Sequence, residues 1–236
     1  MKKFVVLCLI IVLSFSSSII SFAENPKEKV LIINSEIKDY DTLLKRAQKN
    51  IHDLDLSEFP LIGKYTYKLT KNGVDQEITT NITSQLLKRT IKDGKVAEIY
   101  AVTSLGSGTL YDEMWDGSIS VKTYSTIYYS VDSSGPTGTA LLTKVTGGWY
   151  IDDRTVSVSN RKVIYVTNGW GPTGYFLNQR VEKNASANTF TYYTGFNKWI
   201  FNDSGYPGNM LGCRTECTLK HGSASVWYLT FNNDLL

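Results

Sequence analysis

A group of carboxylates beside a tryptophan is one arrangement in this chain whose residue types could do chemistry. Asp112, Glu113 and Asp116 surround Trp115. A glycoside hydrolase uses two carboxyl groups, one as acid and one as nucleophile or base, and calcium binds carboxylate and carbonyl oxygens. The same residues are also typical of a polar loop, because Asp-Gly, found at residues 116–117, is a common turn sequence. We favour the loop and keep an extracellular hydrolase that uses this acidic patch as an alternative.

Two cysteines and a histidine, equally spaced by four residues, form a second candidate. They are Cys213, Cys217 and His221. On a helix they would lie on one face and could bind zinc, and a free thiol beside the histidine could act as a nucleophile. In an exported protein an isolated cysteine pair is most simply a disulfide. We therefore predict a disulfide between Cys213 and Cys217, and neither a metal site nor a cofactor.

The aromatic residues are the third candidate, for binding rather than catalysis. The chain holds 15 Tyr and 5 Trp. Four tryptophans stand in or beside sequences rich in Gly, Asn or Asp, namely Trp115, Trp149, Trp170 and Trp199. Aromatic rings on rigid loops stack on sugars or contact protein partners. The alternative is that the rings close the ends of a β-sandwich core.

Alternating residues and turn sequences indicate that strands position these candidates. Asn72-Gly73 and Asp93-Gly94 separate alternating runs, which is the signature of two-residue β-hairpins. Residues 119–131 alternate throughout and predict a long strand. Many short strands with no helix between them are typical of sandwiches and barrels. We predict an all-β fold, mainly an antiparallel β-sandwich with a barrel as the alternative, over residues 61–236.

One helix is predicted before this β domain, within an N-terminal extension over residues 24–60. Its apolar stripe consists of Tyr40, Leu43, Leu44, Ala47, Ile51 and Leu54. That spacing places one apolar face on an amphipathic helix. Asp39 or Asp41 is in position to cap the start, and Pro60 ends the segment.

Residues 1–23 have the features of a signal peptide. Two lysines precede an apolar run from Phe4 to Leu13, and Ser21-Phe22-Ala23 is a small-x-small cleavage site. The apolar run is shorter than the ~20 residues that cross a bilayer. We therefore expect a secreted, extracellular protein of bacterial type, cleaved after Ala23 and without a stable membrane span afterwards.

The charge of the chain limits its partners. Of the 25 basic residues, Lys2 and Lys3 belong to the predicted leader, which leaves 23 basic against 22 acidic residues. This balance argues against nucleic acid, which needs a basic surplus. We predict a monomeric, non-catalytic binding module for a glycan, a cell-wall polymer or a protein. A secreted β-pore-forming toxin is the other alternative, because the strand over 118–131 alternates Ser and Thr with apolar residues.

Secreted material should begin at Glu24. The Ser21-Phe22-Ala23 site places cleavage directly before that residue. N-terminal sequencing of protein from culture medium measures this directly. Recovery of the chain in the membrane fraction with Met1 retained would contradict the prediction.

Overall fold

The computed structural model describes residues 28–54, 66–71, 74–106, 121–203, 205–206, 208–223 and 226–236, with the backbone alone for 66–69, 71 and 74–79. Within these residues lie one helix and thirteen strands. They are β1 (Lys29–Ile33), α1 (Tyr40–Gln48), β2 (Thr66–Lys71), β3 (Val74–Lys92), β4 (Lys95–Gly106), β5 (Val121–Asp132), β6 (Thr139–Ile151), β7 (Val156–Gly171), β8 (Gly174–Phe176), β9 (Arg180–Asn184), β10 (Thr189–Tyr193), β11 (Ile200–Phe201), β12 (Met210–His221) and β13 (Val226–Asp234). No helix among them is long and apolar enough to cross a membrane.

The strands form two packed antiparallel sheets, which confirms the predicted sandwich over the barrel. The first sheet contains β3, β4, β5, β6 and β10 as successive neighbours, and the second contains β2, β13, β12 and β7. β3 belongs to both sheets, because its first residues pair with β2 and its later residues pair with β4. One continuous hydrogen-bonded path therefore runs through both layers.

The hairpin predicted at Asp93-Gly94 is present, with the backbone conformation that this turn sequence prefers. Lys92 pairs with Lys95, and both residues between them have positive φ, 54° at Asp93 and 75° at Gly94. Two consecutive positive φ values define the type I′ turn. Lys71 pairs with Val74 across the other predicted hairpin, whereas Asn72 and Gly73 themselves lie outside the described residues.

The space between the sheets holds the apolar core. Its fully buried members include Ile127, Leu142, Leu229 and Phe231. A buried amide joins the two layers: Asn233 Nδ2 on β13 donates to the Ser125 carbonyl at 2.9 Å and to the Val102 carbonyl at 3.3 Å. Burying an amide requires such partners, since an unpaired polar group in the core costs about 1–3 kcal/mol.

Helix α1 begins where the sequence predicts but ends earlier. The Asp39 carboxylate accepts a hydrogen bond from the Thr42 backbone N–H at 2.8 Å, as an N-cap does. The apolar stripe continues to Leu54, yet the helix ends at Gln48, because Asn50 adopts a positive φ of 53°. Leu43 and Ala47 are buried against Leu105 of the first sheet, so this segment packs on the outer face of the sandwich.

The predicted disulfide is wrong. Cys213 and Cys217 are both free and buried, and both lie on strand β12. Four residues of extended strand span about 13 Å, whereas a disulfide needs Cα atoms within about 7 Å. Burial raises the pKa of the Cys217 thiol to about 12 and raises that of Cys213 as well. The two residues therefore act as small apolar side chains of the core.

Asp234 should make the stability of the fold depend on pH. Burial raises the pKa of its carboxyl group to about 6, although Arg214 acts in the opposite direction. A folded-state pKa above the ordinary value of 3.8 means that stability falls as the pH rises from about 4 to about 6. Asp234→Asn should therefore raise the free energy of unfolding at pH 8 by up to about 3 kcal/mol.

Urea unfolding at pH 4 and pH 8 measures this effect. The gain should be present at pH 8 and absent at pH 4. Asp93→Asn is the matched control, since Asp93 is an exposed turn residue whose positive φ asparagine tolerates. Equal stabilities of Asp234→Asn and the unchanged protein at pH 8 would refute the assignment.

Candidate functional site

A groove of about 720 Å³ lies on the outer face of the first sheet, between that face and residues 36–43. We call it the tyrosine groove, because most of its aromatic lining is tyrosine. Its lining consists of Glu36, Ile37, Lys38, Asp39, Tyr40, Asp41, Leu43, Lys122, Tyr124, Thr126, Tyr128, Lys144, Thr146, Gly147, Tyr150, Asp152, Thr189, Phe190, Thr191 and Tyr193. Its volume falls within the range typical of small-molecule sites.

The floor of the groove follows from strand alternation. On β5 the side chains of Val121, Ile127 and Val131 enter the core, so Tyr124 and Tyr128 point to the opposite face. The neighbouring strands continue the same rows of side chains. Lys122 pairs with Tyr150, Tyr124 with Gly148 and Tyr128 with Lys144 of β6, and Lys144 pairs with Tyr193 of β10.

A row of threonines crosses the middle of this face on five neighbouring strands. Thr83, Thr103, Thr126, Thr146 and Thr191 pair successively from β3 to β10. The hydroxyls of Thr103 and Thr126 are hydrogen-bonded at 2.9 Å. Thr83, Thr103 and Thr126 are buried, and Thr126, Thr146 and Thr191 line the groove. The groove floor is thus polar between its tyrosines.

The opposite wall is held in place by a buried glutamine. The Ile37 backbone N–H donates to Gln85 Oε1 at 2.8 Å, and Gln85 Nε2 donates to the Ile37 carbonyl at 3.1 Å. The side chain of Gln85 therefore pairs with Ile37 as a neighbouring strand would. Arg46 adds a second attachment through the Ser84 carbonyl at 3.1 Å. Residues 36–43 are consequently fixed at a set distance above the sheet.

One end of the groove combines a tyrosine with both charges. The Tyr128 hydroxyl donates to Glu36 Oε1 at 2.5 Å, and Lys144 Nζ lies 3.5 Å from the centre of the Tyr128 ring. Burial and, to a lesser degree, the bond to Glu36 raise the pKa of Tyr128. The phenol therefore stays protonated and acts as a hydrogen-bond donor. Tyr193 stands at the same end and is 79% exposed.

The other end repeats this combination. Lys122 Nζ lies 2.9 Å from Asp152 Oδ2 and 5.5 Å from the centre of the Tyr150 ring. The bond to Asp152 raises the pKa of Lys122, so the lysine is charged. Tyr150 is 59% exposed. Tyr150 and Tyr193 thus offer accessible rings at the two ends of the groove.

A glycine lets the strands of the floor approach each other. A Cβ at Gly148 would lie 2.6 Å from the Asn188 carbonyl and 3.3 Å from the Tyr124 hydroxyl. Contacts this short would displace the chain that leads into β10 and the Tyr124 ring. Gly148 therefore allows the chain before β10 to lie close to β6.

The tryptophans predicted for binding differ in their exposure to solvent. Trp149 is 2% exposed and packs on Phe190 in the core, as the alternative of a core role from the sequence requires. The alternation of β6 turns it inward, because Tyr150 beside it faces outward. Trp170 is exposed, and its ring centre lies 5.0 Å from that of Tyr175 in a tilted arrangement. Trp199 is half-buried.

The predicted acidic patch of Asp112, Glu113 and Asp116, together with Trp115, lies outside the described residues. Among the residues that the structure describes, no three His, Cys, Asp or Glu side chains are grouped as metal ligands. His221 lies on β12 with its Nε2 atom 4.0 Å from Asp153 Oδ2. The helical zinc arrangement considered from the sequence therefore does not form, because its residues lie along a strand.

The sequence does contain a signal for the groove, and it is the face opposite the predicted core. Strand β5 places the odd-numbered residues from Val121 to Val131 inward, so Tyr124 and Tyr128 fall together on the other face. Tyr40 belongs to the helix stripe and faces Tyr124 edge-on at 5.9 Å. Sequence periodicity does not show that β5 pairs with β6 and that β6 pairs with β10, so it does not predict the rest of the groove floor.

Comparison with protein-family models, with curated proteins and with solved structures finds no match to this chain. The case for function therefore depends on the geometry described above.

Trp149→Ala should lower the stability of the protein, whereas Tyr193→Ala should leave it nearly unchanged. Removing a buried large aromatic leaves a cavity and costs about 3–5 kcal/mol. Tyr193 is mostly exposed, and surface substitutions usually stay within about 0.5 kcal/mol. Thermal and urea unfolding of both variants measure the difference. Equal melting temperatures would show that Trp149 is not a core residue.

Proposed function

We propose that the protein is a non-catalytic binding module whose tyrosine groove holds a short stretch of a glycan chain. The observation that carries the proposal is the pair of exposed rings at the two ends of a polar floor. Tyr193 pairs with Lys144, six residues before Tyr150 on β6. Six residues of strand span about 20 Å, which is enough for several sugar rings.

The chemistry of the groove suits sugars better than a purely apolar ligand. Tyrosine offers an apolar ring face and a hydroxyl on one side chain. Thr126, Thr146 and Thr191 add hydroxyls along the floor. Sugars likewise present apolar C–H faces and rims of hydroxyl groups, so both parts of the groove have a counterpart in the ligand.

The groove carboxylates favour binding over hydrolysis. Glu36 accepts from the Tyr128 hydroxyl and pairs with Lys38 at 3.6 Å, and Asp152 pairs with Lys122. Asp39 caps α1, and its hydrogen bonds with Thr42 lower its pKa. A glycosidase needs one carboxyl group with a raised pKa as general acid. Glu36, Asp39 and Asp152 instead make contacts that hold the walls of the groove.

The two other functions predicted from the sequence remain alternatives. The hydrolase depends on Asp112, Glu113 and Asp116, which are outside the described residues. The pore-forming alternative depends on the strand over 118–131. Its described part, β5, packs Val121, Ile127 and Val131 into the core of the sandwich, so no observation on this strand favours the pore over the binding module.

A glycan array followed by calorimetry tests the proposal. Protein labelled at its amino terminus is screened against bacterial wall polysaccharides and common oligosaccharides. For a glycan that binds, Tyr150→Ala and Tyr193→Ala should each weaken the affinity at least tenfold, since a stacked aromatic contact in an interface is worth about 1–3 kcal/mol. Tyr228→Ala is the matched control, because Tyr228 is 60% exposed on β13 of the other sheet.

Three results would contradict the proposal. The first is a protein that binds no glycan. The second is equal affinity of the Tyr150→Ala, Tyr193→Ala and Tyr228→Ala variants, which would place the site elsewhere. The third is release of new reducing ends from the bound glycan, which would make the protein a hydrolase.

A further inference from the structure

The tyrosine groove contains a lysine whose charge no carboxylate balances. Among the residues that the structure describes, Lys144 forms no ion pair, and its Nζ atom lies 3.5 Å from the centre of the Tyr128 ring. The Lys144 side chain is half-buried and lines the groove. An ammonium group has three N–H donors, and a ring face attracts it without neutralising its charge. Lys144 therefore keeps both a positive charge and hydrogen-bond donors for a ligand.

The other two lysines in the described lining of the groove are paired with carboxylates. Lys38 Nζ lies 3.6 Å from Glu36 Oε2, and Lys122 Nζ lies 2.9 Å from Asp152 Oδ2. The second oxygen of Glu36, Oε1, accepts a hydrogen bond from the Tyr128 hydroxyl. Both oxygens of Glu36 thus have partners, although this carboxylate contacts the same tyrosine on which the unpaired lysine packs.

The remaining carboxylates of the groove wall belong to the start of α1. Asp39 is occupied as the helix cap. Burial raises the pKa of Tyr40, although Lys122 acts in the opposite direction. Asp41 and Asp152 raise that pKa further, so both carboxylates lie near Tyr40, toward the Lys122 end of the groove. The unbalanced positive charge is therefore at the opposite end from these two acids.

The unpaired lysine stands beside one of the two accessible rings. Lys144 on β6 pairs directly with Tyr193 on β10, whose side chain is 79% exposed. Side chains that are directly opposite on neighbouring strands lie about 5 Å apart at Cβ. Thr146 and Thr191 form the next pair on the same face of these strands. A sugar ring stacked on Tyr193 would therefore have an ammonium group and two hydroxyls within reach.

From these observations we propose that the glycan held in the tyrosine groove is acidic and that its carboxylate or phosphate group binds Lys144. This inference rests on the proposed glycan-binding function and adds the charge of the ligand and the end of the groove where that charge lies. Hydrogen bonds between charged partners are roughly twice as strong as those between neutral groups. The hydroxyls of a neutral sugar would leave the charge of Lys144 unbalanced, so an acidic sugar binds more tightly.

Calorimetry with two matched pairs of glycans tests the inference on the full chain. The first pair is an oligogalacturonide and its methyl ester, which differ in the charge of the carboxyl groups. The second pair is a phosphorylated oligomannose before and after treatment with phosphatase. In at least one pair the acidic glycan should bind at least tenfold more tightly than its neutral partner, and the pair that shows this preference identifies the anionic group. The preference should shrink when salt is raised from about 0.1 M to about 0.5 M.

Substitutions at Lys144 assign the preference to this side chain. Lys144→Gln should weaken binding of the acidic glycan at least tenfold and change the affinity for its neutral partner by less than twofold. Lys144→Arg keeps the charge and should keep most of the preference. Lys220→Gln is the matched control, because Lys220 is exposed on β12 of the other sheet, and it should bind both glycans as the unchanged protein does. Thermal unfolding of each variant checks that the fold is retained.

The outcomes separate this inference from the proposed function. Equal affinity for the acidic and neutral members of both pairs, with Tyr150 and Tyr193 still required for binding, would overturn the inference and leave the glycan-binding function intact. An equal loss of both affinities in Lys144→Gln would also overturn it, because the packing of Lys144 on Tyr128 rather than its charge would then matter. A protein that binds no glycan would overturn both proposals.

Discussion

The tyrosine groove depends on one buried side chain that acts as a piece of backbone. Gln85 on β3 exchanges two hydrogen bonds with Ile37 and so attaches the chain before α1 to the sheet. A buried amide without a hydrogen-bond partner would destabilise the fold by about 1–3 kcal/mol. The position of the chain around Ile37 on the sheet is therefore strongly specified. Helix α1 then covers Leu105 with Leu43 and Ala47, and the face formed by β5, β6 and β10 stays open beside it.

Buried side-chain amides connect segments of the fold that are distant in the chain. Asn233 joins the two sheets, Gln179 and Asn209 hold the chain on either side of β8, and Gln85 holds the groove wall. Gln85, Gln179 and Asn209 each donate and accept hydrogen bonds, whereas Asn233 donates through its Nδ2 atom to carbonyls of β4 and β5. The backbone of the groove wall is therefore preorganised, which lowers the entropy lost when a partner binds.

The chemistry of the tyrosine groove varies along its length. The tyrosine groove is polar between its rings, with Lys122 and Lys144 held beside Tyr150 and Tyr128. Thr126, Thr146 and Thr191 supply hydroxyls between its charged ends.

The sequence by itself determined the fold class, the start of α1 at Asp39 and the hairpin at Asp93-Gly94, because alternation, capping and positive φ are local properties. It also indicated which face of β5 is buried. Tertiary structure alone decided that Trp149 turns into the core and that Cys213 lies too far along its strand from Cys217 to form a disulfide. It also decided that tyrosines from three strands and one helix line a single groove. Those outcomes depend on which strands pair and in which register, and the partners are distant in the chain, so no local pattern encodes them.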